Sequence, residues 1–252
     1  MRIAYDLIGS KEKAVAIIDS KHIKNLRAAA KEIMKRHNNV KSVLARGARY
    51  GKYRKYAAKV IAGSKDTEVY HKEYGYVLKL DPQKVYFSPR EANERNQIAE
   101  IVKKNERILI LFSGIAPRAI AIAKQKPNCK IVCVDANPDA VKYADLNCRI
   151  NNVENVENIC SDVTKVKLGK FDRIMMPLPE SAHKFLKIAL KHAKKGGVIH
   201  IYGVSKEKKV FSDFEHTVKT ALKGKRFKIV GRKRVLPFAP HKWKVRFDLK
   251  VI

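Results

Sequence analysis

The sequence predicts an α/β protein built on a Rossmann-like sheet, and three observations between residues 108 and 135 carry that prediction. An apolar run, ILILFSGIAP, ends in a turn of small residues. A helical pattern, RAIAIAKQ, follows at once. A second apolar run, KIVCVDANP, then ends at the acid Asp135. Strand, small-residue turn, helix, strand and acid is the order in which a parallel sheet presents a nucleoside at its carboxyl edge.

The remainder of the second half alternates strand and helix patterns, as in a sheet covered by helices on both faces. We expect helices at 117–125, 138–150, 181–193 and 211–223. We expect strands at 108–112, 130–134, 156–160, 171–176, 197–204 and 227–234, and a last strand in WKVRFDLKVI. Parallel strands that close with two strands joined by a loop match the sheet of a class I methyltransferase.

The first part of the chain predicts a smaller α+β domain over 1–81, with the Rossmann-like domain over 82–252. Its patterns predict two strands within 1–20, a helix at 22–37, a strand at 40–46, and strands around a turn at 57–64 and 67–80. Past Pro82, VYFSPR predicts a short strand. A helix is expected at 91–104, with Ala92, Ile98, Ile101 and Val102 facing inward.

The charge of the chain predicts a nucleic-acid partner. Lys and Arg number 55 against 24 Asp and Glu, a net charge of +31, and such an excess favours a polyanion. Cations alternate with tyrosines from Arg46 to Tyr56, which is typical of contacts to phosphates and unstacked bases in single-stranded RNA. The alternative is a set of solvated lysines and an exposed hairpin loop.

Several classes of protein are disfavoured by the composition. No apolar run reaches the length of a membrane span, and the N-terminus lacks the apolar core of a signal peptide, so we expect a cytoplasmic protein with no membrane partner. The four cysteines form no CxxC pair and the eight histidines are dispersed, so we expect no metal and free thiols. We also expect a monomer.

The cofactor predicted from the strand ends is S-adenosylmethionine. The turn SGIAP has neither the GxGxxG pattern of dinucleotide sites nor the P-loop pattern. Asp135 suits the two hydroxyls of a ribose, and Asp162, at the next strand end, suits an adenine amino group. The alternative for Asp162 is a helix N-cap. The residues expected around the cofactor are Ser113, Gly114, Ala116, Asp135, Ala136, Asp162 and Pro179.

A series of motifs makes the whole chain similar to a known family. They are YDLIG, TEVYHKEYGY, KVYFSPREANER, SGIAP, VDANPDAVKYADLNCRINNV, MPLPESAHKFL and KKGGVIHIY. Together they resemble the archaeal and eukaryotic tRNA (guanine-37-N1)-methyltransferases, over essentially all 252 residues. The resemblance implies methyl transfer from S-adenosylmethionine to a guanine in the tRNA anticodon stem-loop. Family members commonly carry a further N-terminal domain that contacts the tRNA elbow, and we expect this chain to lack it.

Site roles combine chemistry with that resemblance. Guanine N1 carries a proton at neutral pH, so a carboxylate must remove it while a cation stabilises charge on O6. Glu94 is the candidate base, and Arg54 matches the family arginine at O6. Pro177, at the strand end where the acceptor nitrogen meets the methyl group, completes the catalytic set. The residues expected to bind substrate are Tyr86 against the base, Arg90 and Arg95 around the loop, and Arg49 and Lys52 in the basic segment.

Three departures from the family pattern leave other reactions open. Pro177 stands where most members have an asparagine that orients the base, Ile110 replaces an acid, and Ala116 replaces a glycine. A relaxed pocket would accept guanosine, a tricyclic wyosine intermediate, or both. Aminocarboxypropyl transfer from the same cofactor and a catalytically inactive tRNA-binding protein are the alternatives. Glu94 and Arg95 could also be a solvated pair on a helix surface.

Overall fold

A computed structural model gives the structure of the chain and describes residues 3–20, 23–50 and 55–252, without the side chains of 48–50 and 55–57. The six α-helices among these residues are α1 (Leu26–Arg36), α2 (Ala92–Ile101), α3 (Pro117–Gln125), α4 (Pro138–Ile150), α5 (Leu186–His192) and α6 (Ser212–Ala221). The first six strands are β1 (Tyr5–Gly9), β2 (Ala14–Asp19), β3 (Val40–Tyr50), β4 (Lys55–Gly63), β5 (Val69–Glu73) and β6 (Tyr76–Leu80). The other seven are β7 (Arg107–Leu111), β8 (Lys130–Asp135), β9 (Val156–Cys160), β10 (Phe171–Met176), β11 (Ala193–Lys206), β12 (Phe227–Ala239) and β13 (Lys242–Val251).

The predicted Rossmann-like sheet is confirmed. Its seven strands lie in the order β12-β13-β11-β10-β7-β8-β9. The five strands from β7 to β11 are parallel, and β13 is antiparallel to both β11 and β12. Parallel neighbours put their carboxyl ends at one edge, and the ends of β11 and β12 and the start of β13 share that edge.

Proline and asparagine start the helices that leave this edge. Pro117 and Pro138 occupy the first positions of α3 and α4, where a missing N–H costs nothing and the fixed φ suits a helix. The Asn137 side chain accepts a hydrogen bond from Asp139 N and caps α4. Each helix therefore begins directly after a strand end, which keeps the loops at this edge short.

The two faces of the sheet bury different side chains. Leu109, Ile174 and Phe247 belong to the core that the sheet forms with α5 and α6. On the opposite face, Ile110 and Cys133 pack with α3 and α4. This second face is apolar over β7 and β8 and at Met175 of β10, whereas the same face of β11 and β13 carries charged and polar side chains such as His200, Tyr202 and Arg246.

The first part of the chain forms a separate four-stranded sheet of order β1-β2-β3-β4. Strands β2 and β3 are parallel and joined by α1, which buries Ala29, Ala30 and Ile33 against them. The β5–β6 hairpin follows and rests on α4, where Asn147 Oδ1 accepts from Lys79 N at 2.7 Å. One hydrophobic cluster extends from the small sheet through this hairpin to the large sheet, and the expected boundary near Pro82 stays a prediction.

Three local predictions were wrong. Residues 85–88 form no strand, and a short 3-10 turn at Pro89–Glu91 follows them. The segment 67–80 is divided by a turn in which Tyr74 and Gly75 have φ of 39° and 83°. Ile101 is exposed, whereas Glu94 and Arg95 are buried.

In the part of the chain that is described, no helix combines the length and apolarity needed to cross a membrane.

Candidate active site

The strand ends predicted to bind a nucleoside do meet at one edge. Leu111 pairs with Val134, and Asp135 pairs with Cys160, so β7, β8 and β9 end level with one another. Met175 pairs with Ile110, which brings Pro177 beside the turn that follows β7. The turn 112–116 therefore lies in the middle of an edge that Asp135 and the Pro177 segment flank.

The turn after β7 has an unusual backbone. Phe112, Gly114 and Ala116 have φ of 59°, 59° and 61°, values that residues with a Cβ rarely adopt. A Cβ placed on Gly114 would meet no atom within 4 Å, so open space lies beside the turn. Strained backbone beside open space is typical of ligand sites, and here it lets the backbone of Ser113 and Gly114 approach a bound molecule closely.

Asp135 ties the turn to the end of β8. Its Oδ2 accepts from Gly114 N at 2.8 Å, and its Oδ1 accepts from Asn137 N at 2.9 Å. Burial raises the pKa of Asp135, while the N–H groups of Asn137, Gly114 and Ala136 lower it by less. Because each carboxylate oxygen has a second lone pair, the fixed carboxylate can also accept from ribose hydroxyls.

The other residues expected at the cofactor lie around the same turn. Asp162, two residues past β9, accepts from Thr164 N at 2.9 Å and Thr164 Oγ1 at 2.8 Å, a local turn and not an α-helix N-cap. Pro179 is half-buried beyond β10. An open cradle at Gly114 beside a fixed carboxylate fits S-adenosylmethionine. The residues that would hold it are Ser113, Gly114, Ala116, Asp135, Ala136, Asp162 and Pro179, and their individual roles stay predictions.

Glu94 is buried at the start of α2 and surrounded by donors. Its Oε1 accepts from the Tyr202 hydroxyl and from Arg246 Nη1, each at 2.7 Å, and its Oε2 lies 2.5 Å from Lys233 Nζ. Burial alone would raise the pKa of Glu94, but Arg246, Lys233 and Tyr202 outweigh it and hold the pKa below its ordinary value. The solvated helix pair that was the alternative for Glu94 is therefore wrong.

Sheet register explains why these donors meet Glu94. Tyr202 of β11 and Lys233 of β12 both pair with Arg246 of β13, which lies between them. The three side chains form a row across three strands and face α2. Ile201 pairs with Met176, the last residue of β10, so Tyr202 is level with Pro177. Glu94 is thereby held beside the strand end where the acceptor base is expected.

A second buried acid joins α2 to the helix that follows the cofactor turn. Glu91 Oε2 accepts from Arg118 Nη2 at 2.6 Å, and Glu91 Oε1 lies 2.6 Å from Lys244 Nζ. Arg118 and Lys244 both contact the Tyr202 ring. Burial lowers the pKa of Lys244 to about 8 despite Glu91. These cations and the donors to Glu94 were missed, because strand alternation in KVRFDLK assigns the charged face to solvent.

The substrate residues expected from the sequence are distributed differently. Tyr86 is 50% exposed in the loop before α2. Arg90 is exposed and bridges to the small sheet, with Nε 2.9 Å from Asp6 Oδ1. Arg95 is only 2% exposed, and its guanidinium donates to Glu73 and to Ser88 O. Arg95 is therefore not placed to contact RNA, because its donors serve the interior.

Three residues expected to contact RNA lie wholly or partly outside the described part of the chain. Arg49 lies in β3, paired with Tyr56, and its side chain is not included. Lys52 and Arg54 lie outside the described residues. Their roles toward phosphates and O6 stay predictions that rest on the resemblance and on the basic segment.

Further cations extend along the carboxyl edge at the tips of β11, β12 and β13. Lys206 and Lys242 are exposed and directly paired, an arrangement of like charges that is unfavourable unless an anion lies near. Arg234 stacks on Trp243, 4.6 Å from the ring centroid.

In the described parts of the chain, no group of three His, Cys, Asp or Glu is arranged to hold a metal ion.

Comparison with known proteins places this geometry in a family. A model of the TRM5/TYW2 methyltransferase domain matches residues 69–230. The tRNA (guanine(37)-N(1))-methyltransferase Trm5b of Pyrococcus abyssi is 36% identical, over 98% of this chain and 74% of its own. The tRNA 4-demethylwyosine(37)-methyltransferase Taw21 of Saccharolobus solfataricus is 35% identical over 88% of this chain and 84% of its own. A tRNA(Phe) (4-demethylwyosine(37)-C(7)) aminocarboxypropyltransferase of Methanocaldococcus jannaschii is 31% identical over 79% and 81%.

Solved structures agree with the sequence comparison. The complex of aTrm5 and tRNALeu superposes with a TM-score of 0.86 at 31% identity, covering 100% of this chain and 73% of that one. The Methanocaldococcus jannaschii TYW2 complex with AdoMet superposes with a TM-score of 0.73 at 27% identity, covering 98% of each chain. The predictions of a Rossmann-like methyltransferase and of S-adenosylmethionine as its cofactor are confirmed. The chain belongs to the TRM5/TYW2 methyltransferase family.

Proposed function

We propose that this protein transfers the methyl group of S-adenosylmethionine to N1 of guanosine 37 in the anticodon loop of tRNA. The observation that carries the proposal is the position of Glu94. It is a buried carboxylate held by Tyr202, which is level with Pro177 at the edge that also carries the turn suited to the cofactor. Trm5b of Pyrococcus abyssi, which is named for this reaction, is 36% identical over 98% of this chain and 74% of its own length.

The chemistry that the chain supplies is the removal of a proton. When bound, S-adenosylmethionine supplies an electrophilic methyl group. Guanine N1 is not a nucleophile while it carries its proton, so Glu94 takes that proton and leaves the N1 electron pair free. Arg54 is proposed to stabilise the charge that moves to O6. Tyr86 offers an exposed ring on which the extruded base can stack.

The tRNA is proposed to lie across the carboxyl edge of the large sheet. Arg49 and Lys52 of the basic segment are proposed to contact its phosphates, together with the exposed Arg90 in the loop before α2. Lys206 and Lys242 lie at the other end of the same edge. Cations on both sides of the base site suit the phosphates of a single loop and predict binding that weakens steeply with salt.

The reaction is tested by nucleoside mass spectrometry. Unmodified tRNA with guanosine 37 is incubated with the protein and S-adenosylmethionine, and a transcript with adenosine 37 serves as the matched control. We expect N1-methylguanosine at position 37 of the first transcript and no methylation of the second. Absence of a methyl group at position 37 would overturn the proposal, and an aminocarboxypropyl group there would favour the alternative transferase.

A second acceptor is favoured by Pro177. Proline has no side-chain donor with which to orient guanine, so the pocket at this strand end reads the base edge less strictly. Taw21 of Saccharolobus solfataricus, named for 4-demethylwyosine, is 35% identical. We propose that tRNA carrying 4-demethylwyosine at position 37 is also methylated. Competition between the two tRNAs in one reaction measures the preference directly.

The protein is further proposed to act as a cytoplasmic monomer without a metal ion. Light scattering after gel filtration should give the mass of one chain, 28.7 kDa. Methyl transfer should also persist in the presence of a chelator. A dimer mass or loss of activity with the chelator would contradict these two points.

A further inference from the structure

The two oxygens of Glu94 have partners of different character. Oε1 accepts from Tyr202 and Arg246, both buried. Oε2 contacts Lys233 Nζ, whose side chain is 32% exposed. Two donors to Oε1 therefore lie in the interior, whereas Lys233, the one partner of Oε2 among the described residues, is partly exposed to solvent.

Arg246 is fixed by a chain of contacts that crosses the sheet beneath α2. Its Nε and Nη2 donate to the two oxygens of Asp248 at 2.9 and 3.2 Å. Asp248 Oδ1 accepts from His200 Nδ1 at 2.6 Å, and Arg173 Nη1 donates to His200 Nε2 at 2.5 Å. Arg173 in turn binds both oxygens of Glu106. With its donors shared between Asp248 and Glu94, Arg246 holds Glu94 Oε1 in one position.

Lys233 is not held by a comparable network among the described residues. It lies on β12, the outermost strand of the large sheet, and its other contact is Gln97 Oε1, one turn along α2. A lysine ammonium on a flexible stem exchanges a protein partner for water at little cost when it is partly exposed. Oε2 is therefore the oxygen of Glu94 that can be released without disturbing the interior.

We propose that Arg246 and Tyr202 are positioning residues that fix Glu94 through Oε1, while Lys233 is an exchangeable partner of Oε2 that the N1–H of the incoming guanine replaces. This inference rests on the proposed function. The proton of N1 passes to Oε2 of Glu94, and the electron pair of the N–H bond stays on N1.

The exchange changes the strength of the base. Tyr202 and Arg246 face Glu94 from β11 and β13, Lys233 faces it from β12, and Arg118 and Lys244 are also close enough to influence it. With all these groups present, the pKa of Glu94 is held low and the carboxylate is a weak base. Departure of Lys233 removes one cation and raises that pKa, so the base strengthens only when guanine arrives.

The test is the pH dependence of methyl transfer at subsaturating tRNA, where kcat/KM reports the pKa of Glu94 in the free protein, before guanine displaces Lys233. Lys233→Met keeps the length of the side chain and removes its charge, Lys233→Arg keeps the charge, and Lys228→Met is a control on an exposed position of β12. In Lys233→Met the acid limb should move to higher pH, and between this limb and the native one the rate relative to the native protein should fall by about tenfold for each unit of pH decrease. Lys233→Arg should restore the native limb, and Lys228→Met should not move it.

The positioning role of Tyr202 and Arg246 is tested separately. Tyr202→Phe removes one donor to Oε1 with little change of shape, and the rate above the acid limb should fall by about tenfold. In Lys233→Met the loss should be concentrated on the acid side. If both variants lose rate equally at every pH, the two oxygens have no separate roles and the proposal is wrong.

A measurement that does not depend on activity separates this proposal from the proposed reaction. The carboxyl carbon of Glu94, labelled with ¹³C and assigned through its loss in Glu94→Gln, reports protonation directly. It should titrate at higher pH in Lys233→Met, and it should shift in the same direction when an anticodon stem-loop with guanosine 37 is added. Unchanged titration in Lys233→Met overturns the proposal. Absence of methylation by the native protein, with the titration shifted as expected, would overturn only the reaction.

Discussion

One face of the large sheet packs against α3 and α4 over β7 and β8 and meets α2 over β11 and β13, and these two halves have opposite chemistry. Over β7 and β8, Ile110 and Cys133 pack against α3 and α4 with almost no exposure. Over β11 and β13, the residues in equivalent inward positions are His200, Tyr202 and Arg246, and the last two donate to Glu94 of α2. All five of these side chains are buried, but the first half is held together by apolar contacts and the second by ion pairs and hydrogen bonds.

The difference follows from what each half supports. The apolar half is a platform for the turn after β7, whose backbone makes the contacts, so its side chains need only pack. The charged half holds a carboxylate that must stay ionised in the interior, which requires paired cations nearby. A buried ion network adds little to stability compared with apolar packing, and here it is placed where the chemistry needs it.

The largest expected effect is on the charged half. Glu94→Gln should lower the single-turnover rate of methyl transfer by about 10²- to 10⁴-fold, because the amide cannot take the N1 proton. The tRNA dissociation constant should change little, since phosphate contacts dominate affinity. Glu100→Gln makes the same chemical change at an exposed position of α2 and should keep the native rate. A similar loss in both variants would remove Glu94 as the base.

The apolar half should respond in stability and not in rate. Ile110→Ala removes buried apolar atoms between the sheet and its helices and should lower the free energy of unfolding by about 2–5 kcal/mol. Urea unfolding measures this, with Val230→Ala at an exposed position of β12 as the control. If Ile110→Ala lowered the rate per folded molecule as much as Glu94→Gln does, the division between the two halves would be wrong.

The smallest effect is a pH dependence that belongs to the charged half. Burial and the neighbouring arginines lower the pKa of His200 below its ordinary 6.5, against the opposing influence of Asp248. The folded protein then binds fewer protons than the unfolded chain below pH 6.5. Stability is therefore complete above that pH and falls as pH decreases, by at most about 1.4 kcal/mol per pH unit from this group.

Urea unfolding between pH 7.5 and 5, compared with His200→Gln, checks this contribution. The native protein should lose stability more steeply than the variant over this range. Asp248 does not interfere, because its pKa is lowered to about 2 by His200 and Arg246, which outweigh its burial, so its contribution is lost only at more acidic pH. Parallel curves for the two proteins would show that His200 takes up its proton as freely when folded as when unfolded.

The element order was largely predictable, whereas the inward face of α2 was not. Apolar runs and small-residue turns place β7 to β10 within a residue of their observed bounds, because buried parallel strands are continuous and apolar. In α2 the usual rule that apolar side chains face inward put Ile101 in the core. Ile101 is exposed, and Glu94 and Arg95 are buried by partners on other elements.

The sequence by itself determined which residues stand at the carboxyl edge. Strand ends, positive-φ turns and helix starts are local features, so Gly114, Asp135 and Asp162 could be located from short segments. Tertiary structure decided the surroundings of Glu94. Lys244, Arg246 and Asp248 alternate with apolar residues. This pattern is the same in a strand with one solvent-exposed face and in a strand whose two faces are both buried. Only the packing of α2 over β11 and β13 encloses those charges, and it brings Arg246 to Glu94, 152 residues away in sequence.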